Sequence, residues 1–294
     1  GIVVSQADRA STHIGEQLLD RDGWSTHVDK GRPDADGGGE FYQREGFELR
    51  HFETIHVELD APEDAFSDPD SLDCIVFVSR HAGDTGRLLT AHFTGNFGPA
   101  KYGGQPEAFA RAAPGAQKAV IEALVAHAPQ GYDVGIECTH HGPTAPAIPS
   151  LFVELGSDEP QWTDAEAAEA VARAVLDLRG TGADLPDEAG GRNADAASGD
   201  RSDAEIRPRH VVGFDGGHYA PRFTRIVRET EWAVGHVGAD WALADMGAPG
   251  SNRDVIDAAF TQSRAEHAVI DGDRPDLAAV VEELGYRVVS ETWV

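Results

Sequence analysis

Short apolar runs recur along the 294-residue chain, each ending in polar or glycine-rich sequence. "GIVVS" (1–5) gives way to "QADRASTHIGEQLLDRDGW", where Ile14 and Leu18 are four apart and Gly23 ends the pattern, so this stretch reads as strand, loop, helix. "LDCIVFVSRH" (72–81) and "YDVGIECTHH" (132–141) are β-branched and aromatic runs with polar residues at their carboxyl ends, the signature of buried strands in a mainly parallel sheet. Between them "GAQKAVIEALVAHA" places Ile121, Leu124, Val125 and Ala128 on one helical stripe. "FVEL" (152–155) adds a strand. Thr163 and Glu166 then have capping-box spacing ahead of a helix with Val171, Ala174, Val175 and Leu178 on one face. "HVVGF" (210–214) and "TEWAVGHV" read as strands, "SNRDVIDAAFTQS" and "PDLAAVVEELG" as helices, the last stopped by Gly285. The alternation predicts an α/β fold, with a mainly parallel or mixed central sheet flanked by helices. It forms a single domain over residues 1–294, interrupted at about 180–208 by a Gly-, Ala-, Asp- and Ser-rich stretch expected to be a disordered acidic insertion.

Charge changes the picture most. The formal net charge is −27, and lysine occurs only at positions 30, 101 and 118. Such a surface repels itself in dilute buffer, where the Debye length is about 30 Å at 0.01 M salt, and is relieved at 1 M, where it is about 3 Å. Adaptation to a salt-rich cytosol is the expectation. Loose binding to DNA is excluded, because it needs clustered Lys and Arg; a nucleic-acid partner must be held by a local patch. With only Cys74 and Cys138, and no charged-then-apolar leader, neither a disulfide framework nor secretion is expected, and a cytoplasmic location is. No apolar run reaches the roughly 18 residues of a membrane helix.

The candidate chemistry lies at strand ends, where open α/β sheets collect ligands. His81 closes "VSRH", and His92 follows in "LTAHFTGNFG". Glu137, Cys138, His140 and His141 close "GIECTHH", Glu154 lies in "FVEL", and Asp215 and His218 stand in "DGGHY". In a parallel sheet these loops converge on one pocket. Imidazole and carboxylate are good zinc ligands, yet the spacing matches no common local zinc motif, and histidines acting without metal are the rival reading. Cys138 next to an imidazole is a candidate nucleophile, with a small buried core residue as the commoner role. Adjacent histidines of a strand point to opposite faces. His140 and His141 can therefore serve one site only if the backbone has left extended geometry, which Gly142-Pro143 favours. Arg80, Arg222 and Arg225 are candidate contacts for phosphate or carboxylate.

Taken in order, "IVVSQADRAS" (2–11), "SRHAGDTGRLLTAHFTGNFG" (79–98), "ECTHHGPTAP" (137–146), "FVELGSDEPQW" (152–162) and "GFDGGHYAPRFT" (213–224) resemble the archaeal-type D-aminoacyl-tRNA deacylase family over nearly the whole chain outside the acidic segment. The resemblance implies an α/β core related to peptidyl-tRNA hydrolase and nucleoside phosphorylases. It implies hydrolysis of the ester between a D-amino acid and the 3′ end of tRNA, with zinc, one ion or two, as cofactor. The partner is the acceptor end of D-aminoacyl-tRNA, and a monomer is expected. By matched motif the site falls on His81, His92, His140, His141 and His218 as metal ligands. Glu137, His140 and His141 are the catalytic candidates, and Arg80, Asn96, Tyr219 and Arg222 the substrate contacts, with Lys101 on a basic rim. Two other classes fit the same residues: a metal-dependent hydrolase or phosphorylase of a small nucleoside, and a noncatalytic binder of RNA ends.

Overall fold

The computed structural model describes residues 1–186, 208–214 and 216–294; Asp215 and positions 187–207 of the expected insertion lie outside the described residues. In chain order the elements are β1 (Ile2–Ser5), α1 (Arg9–Leu19), β2 (Ser25–Asp29), β3 (Gly39–Arg44), β4 (Phe47–Phe52), β5 (Ile75–Arg80), β6 (Leu88–His92), α2 (Pro114–His127), β7 (Asp133–Ile136), β8 (Ser150–Gly156), α3 (Glu159–Trp162) and α4 (Ala165–Leu176). They continue with β9 (His210–Phe214), α5 (Pro221–Glu229), β10 (Ala233–Gly238), α6 (Asp240–Met246), α7 (Arg253–Ser263), β11 (His267–Ile270), α8 (Pro275–Glu283) and β12 (Arg287–Val289).

The strands form an eight-stranded mixed sheet, ordered β2-β3-β4-β1-β5-β8-β6-β7, and a separate four-stranded sheet, β10-β9-β11-β12, whose pairings are all parallel. In the large sheet β1 pairs in parallel with β4 and β5, and β5 with β8. β6 runs antiparallel to β8 and carries β7 with it. This corrects the expected gathering of strand ends along one carboxyl edge. His92, the last residue of β6, pairs with Phe152 in the middle of β8, while His81 follows the carboxyl end of β5.

Alternation along the central strands divides the sheet into two unlike faces. Val76 and Val78 of β5, Leu89 and Ala91 of β6, and Leu151, Val153 and Leu155 of β8 join α1, α2 and α4 in the main core. The opposite face carries Phe77, Ser79, Thr90, His92, Phe152 and Glu154, and its apolar part, Val3, Phe52, Ala65, Phe66, Ile75, Phe77 and Phe152, forms a smaller core. Polar groups thus sit where the alternating pattern points them, on the face without helices α1, α2 and α4.

Two local expectations shift. Helix α4 is capped by Asp164, which accepts from the N–H groups of Glu166 and Ala167, and the reciprocal capping box belongs to Asp158 and Gln161 on α3 rather than to Thr163 and Glu166. Val125 is exposed, so the buried stripe of α2 runs through Val120, Ile121 and Leu124. Packed structure also continues past position 180. Ala183 is buried, and its carbonyl accepts from Gly115 N at 2.8 Å. Asp184 pairs with Arg111 at 2.7 Å, and Leu185 N donates to Nε2 of the buried His210 at 3.1 Å. Among the described residues no helix is long and apolar enough to cross a membrane.

Candidate active site

Four chain segments meet on the polar face. β5 delivers Ser79 and, one residue on, His81; β6 ends in His92; β8 contributes Glu154; and the segment after β7 supplies residues 137–141. That segment is clamped from the second sheet: Cys138 N donates to His218 O at 2.9 Å and Thr139 N to Val237 O at 2.8 Å. His141 then takes a left-handed backbone, φ 46°, and Gly142 follows where a Cβ would lie 2.4 Å from Gly104 N. A left-handed non-glycine residue costs on the order of 1 kcal/mol. It turns the second ring back beside the first, and the centroids of His140 and His141 are 4.4 Å apart. His140 also stacks on His92 at 4.3 Å and lies 4.6 Å from His218.

Hydrogen bonds fix which nitrogen of each ring is available. A carbonyl only accepts, so His92, His140 and His141 each carry their proton on Nδ1, given respectively to Phe93 O at 3.1 Å, Cys138 O at 2.8 Å and Gly142 O at 2.6 Å. Their Nε2 atoms are left for another partner; on His92 burial opposes a charge but Glu154, 3.4 Å from Nε2, raises the pKa, so that ring gives up its Nε2 proton when it takes a metal. Ligand atoms of these three residues lie within 4.8 Å of one another, as do those of Cys138/His140/His218 and of His81/Glu137/His218. Nε2 of His92 is fully buried and lacks a hydrogen bond, though Glu154 Oε1 is 3.4 Å away. Backbone acceptors that fix the tautomer of a ligating histidine are the usual outer layer of a metal site, and the first trio fits a metal best.

The remaining groups form an ion network. His81 places Nδ1 3.1 Å from Glu137 and 3.4 Å from Glu154, and Nε2 2.9 Å from the hydroxyl of Tyr219. Burial works against a charge on His81, but hydrogen bonds to the two carboxylates push its pKa up to about 11. Burial likewise opposes ionising the glutamates, yet the histidines hold both well below the usual range: His218 and His81 for Glu137, His81 and His92 for Glu154. Ser79 Oγ donates to Glu154 at 2.6 Å. For His140 and His141, burial and then the neighbouring His92 lower the pKa, to about 4 in His141, so both rings are neutral near pH 7.

Cys138, His218 and Glu137 have the connectivity of nucleophile, base and orienting carboxylate: Sγ to Nδ1 is 3.6 Å and Nε2 to Oε2 is 2.7 Å. Accessibility decides against a nucleophile. Cys138 is fully buried, and burial followed by the charge of Glu137 pushes its thiol up, so the S–H remains and donates to His218.

A cleft of about 690 Å³ opens onto the cluster, lined by Arg80, His81, His140, His141, Glu154 and His218 together with His56, Lys101 and Tyr102. Glu154 joins the site as the strand "FVEL" suggests, whereas Ser79, His56 and Tyr102 have no place among the candidates read from sequence; the signal for Ser79 is the alternation of β5. Arg80 stands on the cleft wall with its guanidinium 5.4 Å from the Trp162 ring centre, and Tyr219 reaches the network through His81. Two expected substrate contacts have other work. Asn96 donates its amide to Gly103 O and Gln105 O at 3.1 and 3.0 Å, bracing a loop. Arg222, at the start of α5, pairs with Asp271 at 2.8 Å and Glu291 at 2.7 Å, away from the residues lining the cleft. Asp215 lies outside the described residues.

Comparison with known proteins gives this arrangement a family. The chain is similar along its whole length to a solved structure of a conserved protein of unknown function, with TM-score 0.79 and 27% identity, covering 100% of this chain and 95% of that one. It is 65% identical over all of its length to a D-aminoacyl-tRNA deacylase of Halorubrum lacusprofundi and 56% identical to one of Haloarcula marismortui. It spans 61% and 62% of those two proteins, so it corresponds to about three fifths of the relatives it matches. A family model described as D-aminoacyl-tRNA deacylase matches residues 68–289, and the chain belongs to that family.

Proposed function

We propose that the protein hydrolyses the ester joining a D-amino acid to the 3′ end of tRNA, with a zinc ion held by His92, His140 and His141. The names of its haloarchaeal relatives support the substrate. The observation that carries the chemistry is the common orientation of three rings, each giving Nδ1–H to a backbone carbonyl and keeping Nε2 for a shared partner. Three imidazoles are a donor set of catalytic zinc, which supplies a water with pKa near 7 and polarises a carbonyl.

The protein's own groups then have distinct tasks. Glu137, ionised and with Oε2 3.9 Å from Nε2 of His140, serves as acceptor for the proton of the attacking water. His81, kept charged by both glutamates, gives its Nε2–H to the Tyr219 oxygen, which frees the tyrosine proton for a substrate oxygen that gains charge as the ester opens. His218 and the buried Cys138 hold Glu137 in place.

Matched D- and L-aminoacyl-tRNAs, with and without chelator, test this reading. Turnover of the D-ester, sparing of the L-ester, loss with chelator and recovery with zinc are the expected results. Turnover of a free nucleoside instead of the ester, or tRNA binding without turnover, would assign the cleft to another function.

A further inference from the structure

A chain of net charge −27 must hold the end of a polyanion. The cations at the cleft are poorly placed to do it: Lys101 Nζ is 2.5 Å from Asp245, and Arg80 lies over Trp162. In molar salt phosphate contacts weaken further. The cleft mouth offers uncharged surface instead. Among the described residues, the large apolar side chains left exposed are Val28, Tyr102, Val125, Trp241 and Trp293; of these Tyr102 lines the cleft and Trp241 stands on α6, the helix that holds the neighbour of Tyr102.

Tyr102 lines the cleft and is 71% exposed, yet its loop is braced at several points. Gly142 N donates to Tyr102 O at 3.1 Å, Asn96 spans Gly103 O and Gln105 O, and Gln105 N donates to Thr144 Oγ1 at 2.8 Å. Gly103 is left-handed, φ 84°, and packs so closely that a Cβ would lie 2.5 Å from Val57 O. The backbone that carries the ring is thus held at a fixed place against the turn of His140 and His141. Trp241, 41% exposed, stands in the first turn of α6, where Asp240 N donates to Gly216 O at 2.9 Å two residues before His218, and Asp245 on the same helix holds Lys101, the neighbour of Tyr102. Two aromatic faces therefore belong to one braced rim.

We propose that Tyr102 and Trp241 are stacking platforms for the unpaired nucleobases at the 3′ end of tRNA, so that the acceptor end is gripped through its bases more than its phosphates. The proposal rests on the reading of aminoacyl-tRNA as substrate. Every base offers a π-face to an aromatic ring, and a contact between uncharged faces survives screening that cancels a phosphate contact. Because the loop and helix that carry them are already braced, only side-chain freedom is lost on binding.

The test is binding of an unacylated tRNA minihelix ending in single-stranded CCA, followed by fluorescence anisotropy at about 0.5 M and about 3 M KCl. Tyr102→Ala and Trp241→Ala should each weaken binding about tenfold, while Tyr102→Phe and Trp241→Phe bind like the unaltered protein, and removal of the overhang abolishes binding. Affinity should change less than about threefold between the two salt concentrations. Unchanged affinity in the alanine variants, a steep fall with salt, or failure to bind the minihelix would overturn the proposal. With D-aminoacyl-tRNA, the alanine variants should raise KM and keep kcat. A protein that binds the CCA end in this way yet never cleaves the ester would overturn the substrate reading and leave the stacking sites standing.

Discussion

Thr139 and His236 join the reactive turn to the second sheet, with Thr139 Oγ1 3.1 Å from His236 Nδ1 and both residues buried. The chain of bonds is complete: His236 Nε2–H is given to Ala110 O at 3.0 Å, Nδ1 accepts the threonine proton, and the threonine oxygen accepts Val237 N–H at 3.0 Å. Thr139 is one residue from His140, so the second sheet sets where the histidine pair stands. Thr139→Val removes the donor and leaves two buried groups unpaired, which costs about 2–4 kcal/mol. We expect thermal unfolding and turnover of D-aminoacyl-tRNA to fall together in Thr139→Val and to be retained in Thr139→Ser. A valine variant of unaltered stability would show that this contact positions nothing.

The buried histidines give a pH dependence of stability. Burial lowers the pKa of His236 to about 3 and of His210 to about 4. Both are therefore neutral in the folded state at pH values where the unfolded chain, with pKa about 6.5, takes up protons. Their contribution is complete above pH about 6.5 and is lost as pH falls toward the folded values, at about 1.4 kcal/mol per pH unit for each group. His81, whose pKa is raised, contributes with the opposite sign, so the measure is a difference: between pH 7 and 5 in molar KCl the slope of stability against pH should lessen by about one proton in His210→Gln. A slope unaltered in that variant would contradict the neutral, buried assignment.

Much of this site is legible in the alternation of three short strands. In "IVFVSRH" Val76 and Val78 face the helices, which puts Ser79 on the other side with His81 in the same register; "LLTAH" does the same for His92, and "LFVELG" for Glu154. The mainly parallel or mixed sheet is as expected, but which strand reverses is not written in the pattern: the reversal of β6 brings the strand end at His92 opposite Phe152 of β8. Residues that line the cleft from loops, His56 and Tyr102, have no periodicity to betray them. The short strands β11 and β12 were likewise missed, since four and three residues carry too little pattern to separate them from loops. Arginine 222 looked available because its glutamate and aspartate partners are distant in sequence.

The two cysteines should react poorly in the folded protein. Cys138 has no exposed surface, and burial pushes the thiol of Cys74 up to about 11. A disulfide reagent in molar KCl should leave Cys138 unreacted and label the partly exposed, high-pKa Cys74 only slowly until denaturant is added, and then both rapidly. Cys138→Ala should keep most turnover, whereas loss of activity together with rapid labelling would restore the nucleophile reading.

Salt dependence follows from the acidic surface. Stability should rise as KCl goes from dilute to molar, because screening shortens the range over which the carboxylates repel one another. An unfolding midpoint that is the same in dilute buffer and in molar KCl would remove the case for salt adaptation.

The central claim is that the turn after β7 presents His140 and His141 together as the reactive part of the cleft. Turnover of D-aminoacyl-tRNA by His140→Ala and His141→Ala, each confirmed as folded by circular dichroism in molar KCl, tests it most directly. Each variant should lose at least about a hundredfold in kcat and bind less zinc than the unaltered protein. Near-normal turnover in both folded variants would contradict the account and place the chemistry elsewhere in the molecule.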